Sequence, residues 1–152
     1  GYQPPAGDSV IKFPEGIAFA TLESEEEAWP KAEYRTKDLR FKGYRLDKRQ
    51  HPTFNYERDG VTIEDTPTPF PGEELSQLKR TLKLSGKKTP NNLYFRVATG
   101  NIAEKSGGFL IDEELQISVS GGEGLNIGGE LRVPVKFKNG TAQLELIYAW
   151  AE

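Results

Sequence analysis

The sequence predicts an all-β fold, an antiparallel two-sheet β-sandwich of roughly nine or ten strands. Three observations lead there. The chain has 16 Gly and 10 Pro among 152 residues, and they divide it into short segments. Within those segments apolar and polar residues alternate with the period of a strand that has one buried face. Finally, Asp59-Gly60 and Asn139-Gly140 are dipeptides that accept positive φ at both centres of a type I′ turn, the turn whose twist suits a hairpin.

Residues 1–8 read as a linker remnant, and residues 9–152 as a single β-sandwich domain. Gly1 is not an initiator Met and the chain holds no Met, which leads us to expect a domain excised from a larger protein. Val10, Phe13, Ile17, Phe19 and Leu22 suggest one or two strands broken at Pro14-Glu15-Gly16. From residue 23 to residue 37 the alternation is lost. Ser24 and Glu27 have capping-box spacing for a single helical turn that Pro30 would end.

Residues 39–47 form a strand with a phase change: Leu39 and Phe41 share one face, Tyr44 and Leu46 the other. A bulge at Gly43 would bring all four onto a common buried face. The Asp59-Gly60 turn sets Tyr56 opposite Ile63 and Arg58 opposite Val61, with Phe54 on the same face. The three prolines of residues 66–72 are expected to keep that segment out of a central strand, because each removes a ladder donor. Leu78, Leu82 and Leu84 mark the next strand, followed by a turn at residues 87–92. Leu93, Phe95 and Val97 alternate cleanly. A turn at Gly107-Gly108 precedes Phe109, Leu110 and Ile111, then Leu115, Ile117 and Val119 share a face. Gly121-Gly122-Glu123-Gly124 and Gly128-Gly129 flank Leu125 and Ile127 as flexible connectors. With Asn139-Gly140 at the tip, Val135 should face Leu144, Val133 Leu146 and Leu131 Tyr148 as a closing hairpin, Trp150 continuing the inward set.

A formal charge of −3 argues against nucleic acid or an anionic membrane surface as partner. No apolar run approaches the ~20 residues that span a bilayer. With no Cys, the chain has no disulfide, thiolate metal site, cysteine nucleophile or covalent haem attachment.

Candidate sites are few. His51, the single histidine, could be an axial haem ligand for a neighbouring domain or a general base; we read it as a polar turn residue. The carboxylates mostly alternate along strands as a solvated face would, and the acidic run at residues 23–27 lacks the spacing of a calcium loop. Neither a catalytic residue nor a metal site is expected. Gly121-Gly122-Glu123-Gly124 lacks the Lys-Ser/Thr and following helix of a phosphate loop. The sequon Asn139-Gly140-Thr141 is assigned to its turn. Sugar rings stack on exposed aromatics, and Trp29 and Tyr34, in the irregular segment, are the candidate carbohydrate-binding residues. The rival reading has Trp29 pin its loop to the sandwich.

The run Phe41-Lys42-Gly43-Tyr44-Arg45-Leu46-Asp47, then Pro52-Thr53-Phe54-Asn55-Tyr56 and Val61-Thr62-Ile63-Glu64-Asp65, resembles a segment of very large secreted bacterial haem proteins. These are the planctomycete-type haem-binding proteins and their relatives in polysaccharide-degrading bacteria. Leu93-Tyr94-Phe95-Arg96-Val97 with Gly100, and the strand from Gln143 to Trp150, are similar to later parts of the same module. Such chains combine c-type cytochrome domains with dehydrogenase-like propellers and sometimes carbohydrate-binding modules. The resemblance implies a non-catalytic accessory or spacer domain of a secreted or periplasmic redox protein. Its partners would be the neighbouring haem and dehydrogenase domains, and it would hold no cofactor of its own, since the Cys-x-x-Cys-His attachment motif is absent. The alternative is a carbohydrate-binding module for a neutral polysaccharide.

Overall fold

Twelve strands and no helix form among the residues that the computed structural model describes, 18–31, 39–69 and 77–150. They are β1 (Phe19–Thr21), β2 (Arg40–Leu46), β3 (Pro52–Arg58), β4 (Val61–Pro69), β5 (Gln77–Ser85), β6 (Leu93–Thr99), β7 (Ile102–Lys105), β8 (Gly108–Ile111), β9 (Leu115–Ser120), β10 (Leu125–Ile127), β11 (Glu130–Pro134) and β12 (Thr141–Trp150). The count exceeds the sequence expectation because β1, β7 and β10 have only three or four residues, too few to show an alternation. The expected linker, the strand residues Val10, Phe13 and Ile17, and Tyr34 lie outside the described residues.

The strands form two antiparallel sheets, one of four in the order β1-β6-β11-β10 and one of eight in the order β2-β3-β4-β5-β12-β9-β8-β7. Their facing sides enclose one core. Leu82, Leu144, Leu146, Ile117 and Tyr148 come from the large sheet, and Phe95, Leu93, Leu131 and Val133 from the small one. The sandwich and its inward sets, Trp150 included, follow the alternation read from the sequence.

The closing hairpin does not form as expected. The Asn139-Gly140 turn is present, with φ of 54° and 77°, and Lys138 and Thr141 exchange backbone hydrogen bonds of 2.8 and 3.1 Å. Pairing stops at that one bridge. β11 pairs with β6 and β10, whereas β12 pairs with β5 and β9. Val135 already belongs to the small sheet, its N–H donating to the Leu93 carbonyl at 2.8 Å. The two apolar sets therefore meet face to face across the core instead of side by side in one sheet. Both arrangements bury the same residues, so alternation alone does not separate them.

The bulge at Gly43 is present as a register shift between Phe41 and Gly43. It gives Phe41 and Tyr44 a common face, but that face is exposed, contrary to expectation. The reason is width: four strands cannot cover eight, and β2 lies beyond the small sheet. The proline-rich segment also departs from expectation, since β4 continues to Pro69 and pairs with β5 throughout. Strand parity explains it. In a two-residue hairpin the flanking pair Arg58–Val61 exchanges hydrogen bonds, so residues 61, 63, 65, 67 and 69 turn their backbone groups toward β3. The ladder with β3 ends at Phe54–Asp65. Pro67 and Pro69 thus lack donors only where no strand asks for them.

The Gly-rich connector at residues 121–124 is a tight crossing from the large sheet to the small one. A Cβ at Gly122 would lie 2.6 Å from Val133 Cγ1 and 2.9 Å from Leu144 Cδ2, so glycine is needed there for close approach.

Candidate functional site

The loop of residues 22–31 lies against the outer side of the small sheet. Its turn is one residue out of phase with a capping box: Glu27 N–H donates to the Ser24 carbonyl at 3.1 Å, and the Glu27 carboxylate accepts from Glu23 N–H at 2.8 Å. Arg132 fastens the loop, donating through Nη1 to the carbonyls of Glu25 (2.8 Å) and Glu27 (2.7 Å). Trp29 is half-buried, with the guanidinium carbons of Arg96 and Arg132 at 5.1 and 5.3 Å from its ring centre. These two arginines are direct cross-strand partners, an arrangement of like charges that would repel. Glu130 bridges them, accepting from Arg96 Nη1 at 2.8 Å and from Arg132 Nη2 at 2.6 Å. Arg132 is thereby buried although it points away from the core. Trp29 thus stacks on protein cations. Tyr34, the other candidate, lies outside the described residues.

His51 closes the turn between β2 and β3. Asp47 Oδ1 accepts the N–H groups of Arg49 and His51, each at 2.8 Å, and Asp47 Oδ2 lies 3.5 Å from His51 Nδ1. The His51 N–H, foremost among these contacts, holds the Asp47 carboxyl below its usual value. Both side chains work within the turn, which agrees with the turn reading of His51. Among the described residues no group of three His, Cys, Asp or Glu is arranged to hold a metal ion.

One polar cluster lies inside the core. Asp65 and Arg80 project from the inner face of the large sheet, in rows otherwise made of Val61 and Ile63 on β4 and of Leu78, Leu82 and Leu84 on β5. Arg80 donates to Asp65 through Nε at 3.0 and 3.1 Å and through Nη2 at 2.7 Å. Its Nη1 reaches the Tyr148 hydroxyl at 3.3 Å. The guanidinium sits 5.2 Å from the Phe95 ring centre, which closes the cluster from the opposite sheet. Burial pushes the Tyr148 phenol above its usual value, against the pull of Arg80. The Asp65 carboxylate, the Arg80 guanidinium and the Tyr148 hydroxyl are thus engaged with one another, and the alternating leucines of β5 gave the sequence signal that Arg80 points inward.

The most prominent exposed feature is a shelf of aromatic side chains on β2 and β3. Phe41, Tyr44 and Leu46 are 57%, 63% and 49% exposed, the large apolar side chains most open to solvent among the described residues. Each faces a partner on β3: Phe41 meets Tyr56 with ring centres 5.5 Å apart, Tyr44 meets Phe54 at 6.2 Å, and Leu46 pairs with Pro52. Tyr56 in turn pairs with Ile63, which is core. The shelf is therefore the inner face of the large sheet, continued past the edge of the small one. On the opposite face, Arg40 forms an ion pair with Glu57, while Arg45 donates to Asn55 at 3.1 Å and forms an ion pair with Glu64 at 2.7 Å, contacts that brace β2 against β3 and β4.

The phase change at Gly43 announced the shared face of these side chains, and no sequence signal announced that the second sheet stops short of it. Comparison of the chain with protein families, curated proteins and solved structures gives no match.

Proposed function

We propose that this domain is a non-catalytic accessory module that docks neighbouring domains of a larger secreted or periplasmic redox protein, using the aromatic shelf of β2 and β3 as its contact face. The observation that carries the reading is the uncovered shelf itself. Contiguous exposed apolar surface on a soluble domain marks a contact site. Burying a large apolar side chain contributes about 1.5–3 kcal/mol, so Phe41, Tyr44 and Leu46 together supply several. That is small against the roughly 4–15 kcal/mol cost of free association. It suffices between domains of one chain, where a tether sets an effective concentration near the millimolar range. β2 is the last strand of the large sheet among the described residues, and it carries Arg40, Lys42 and Arg45, charges that discourage edge-to-edge pairing of two copies.

The test is Phe41→Ser with Tyr44→Ser. Both side chains are exposed, so the isolated domain should melt within a few degrees of the parent sequence, while in the protein joined to its adjoining domains the association between domains, read by small-angle scattering, is lost. Undiminished association would refute the docking role of the shelf. Retardation on cellulose, xylan or mannan gels that Trp29→Ala abolishes at unchanged melting temperature would instead support the carbohydrate-binding alternative.

A further inference from the structure

We infer that the outer face of the large sheet carries a binding cleft for an acidic oligosaccharide of the uronic-acid class. An open cleft of about 510 Å³ lies where the ends of β4, β5 and β12 meet the crossover from β11 to β12. This falls within the roughly 300–1,000 Å³ of small-molecule sites. Glu64, Lys83, Ser85, Lys136, Lys138 and Gln143 contribute to its lining.

The fold brings these groups together in two ways. Lys83 stands between Glu64 and Gln143 in a cross-strand row, alternating with the core residues Leu82 and Leu84, so it faces outward. Lys136 and Lys138 come from the crossover, where Val135 is buried and Phe137 half-buried, so the two lysines fall on the solvent side. The Asn139-Gly140 turn holds that crossover against β5 through a 3.0 Å hydrogen bond from Gly86 N–H to the Gly140 carbonyl.

Electrostatics then selects the ligand. The Glu64 carboxylate is engaged by Arg45 at 2.7 Å, so its charge is already matched. No ion pair engages Lys83, Lys136 or Lys138 among the described residues. Three unmatched ammonium groups thus share one cleft in a protein of net charge −3, and an anion relieves their repulsion. The cleft is lined by no aromatic ring, so a ligand there is held by charge and hydrogen bonds and not by stacking, which argues against single-stranded nucleic acid, whose bases need stacking platforms, and equally against a neutral sugar. Nor does the lining include a helix N-terminus among the described residues, the ready-made cradle for a free phosphate. What remains is charge with hydroxyl and amide groups, from Ser85 and Gln143, the chemistry that recognises a carboxylate on a polyhydroxylated ring. The site lies on the face opposite the shelf and does not rest on the docking proposal.

The test is a titration of the whole chain with tri-galacturonate, xylotriose, inorganic phosphate and a short single-stranded oligonucleotide, followed by amide chemical shifts at low salt. Tri-galacturonate should shift the amides around Lys83, Lys138 and Gln143, and Lys136→Gln with Lys138→Gln should weaken it about tenfold or more. Raising the salt to about 1 M should weaken it likewise, because these charges are open to screening. Tyr44→Ser should leave it unchanged, which separates this site from the shelf. Failure of tri-galacturonate to shift these amides would overturn the inference. So would equal binding of xylotriose, tighter binding of phosphate or the oligonucleotide, or full binding by a double variant whose melting temperature is unaltered.

Discussion

Asp65→Ala should destabilise the domain by about 3–5 kcal/mol, the cost of breaking a buried ion pair from one side. Three of the Arg80 contacts end on the Asp65 carboxylate, at 2.7, 3.0 and 3.1 Å, and both side chains are largely shielded from solvent on the inner face of the large sheet. Without the carboxylate, the guanidinium loses its ion-pair partner while staying between the Tyr148 hydroxyl and the Phe95 ring in largely apolar surroundings. Replacing both partners, as Asp65→Leu with Arg80→Met, should recover most of the loss, because the desolvated charge goes with its partner. Urea denaturation measures each variant. A loss below about 1 kcal/mol for the single variant would mean that Arg80 escapes to solvent and that the cluster is not closed.

Leu146→Ala should cost about 2–5 kcal/mol, the range for deleting a buried leucine whose surroundings cannot collapse. Leu146 is fully buried on β12, the strand between β5 and β9, with Arg80 and Val119 as its lateral partners. A strand at that position has neighbours on both sides and the small sheet above it, so little can move in to fill the cavity. A variant melting within a degree of the parent sequence would contradict this placement of β12.

These two sites show what the sequence could and could not convey. Leu146 was legible as buried because the alternation on β12 is strict. Its partners were not, because Val133 and Leu146 fall inside whether β11 and β12 pair laterally or face each other across the core. A two-residue turn specifies a local reversal, and long-range pairing with β6 and β5 then draws the two strands into different sheets. The bulge at Gly43 was legible as a change of phase within seven residues. Exposure of the resulting face was not, since it depends on how far the other sheet extends, and strand alternation carries no such count. The burial of Arg132 was not legible either: it points outward as alternation requires, and is buried because residues 22–31 fold over it, held by its bonds to the Glu25 and Glu27 carbonyls. The basic cleft combines Lys83 with Lys136 and Lys138, more than fifty positions away in the chain, and no spacing rule joins them.

The central claim is that the uncovered inner face of β2 and β3 is where the domain meets its neighbours. Hydroxyl-radical footprinting of Phe41 and Tyr44 tests it most directly, comparing the isolated domain with the same domain joined to its adjoining domains. The account predicts that both rings are labelled readily in the isolated domain and are strongly protected in the joined protein, with Trp29 labelled alike in the two. Equal labelling of Phe41 and Tyr44 in both forms would contradict it.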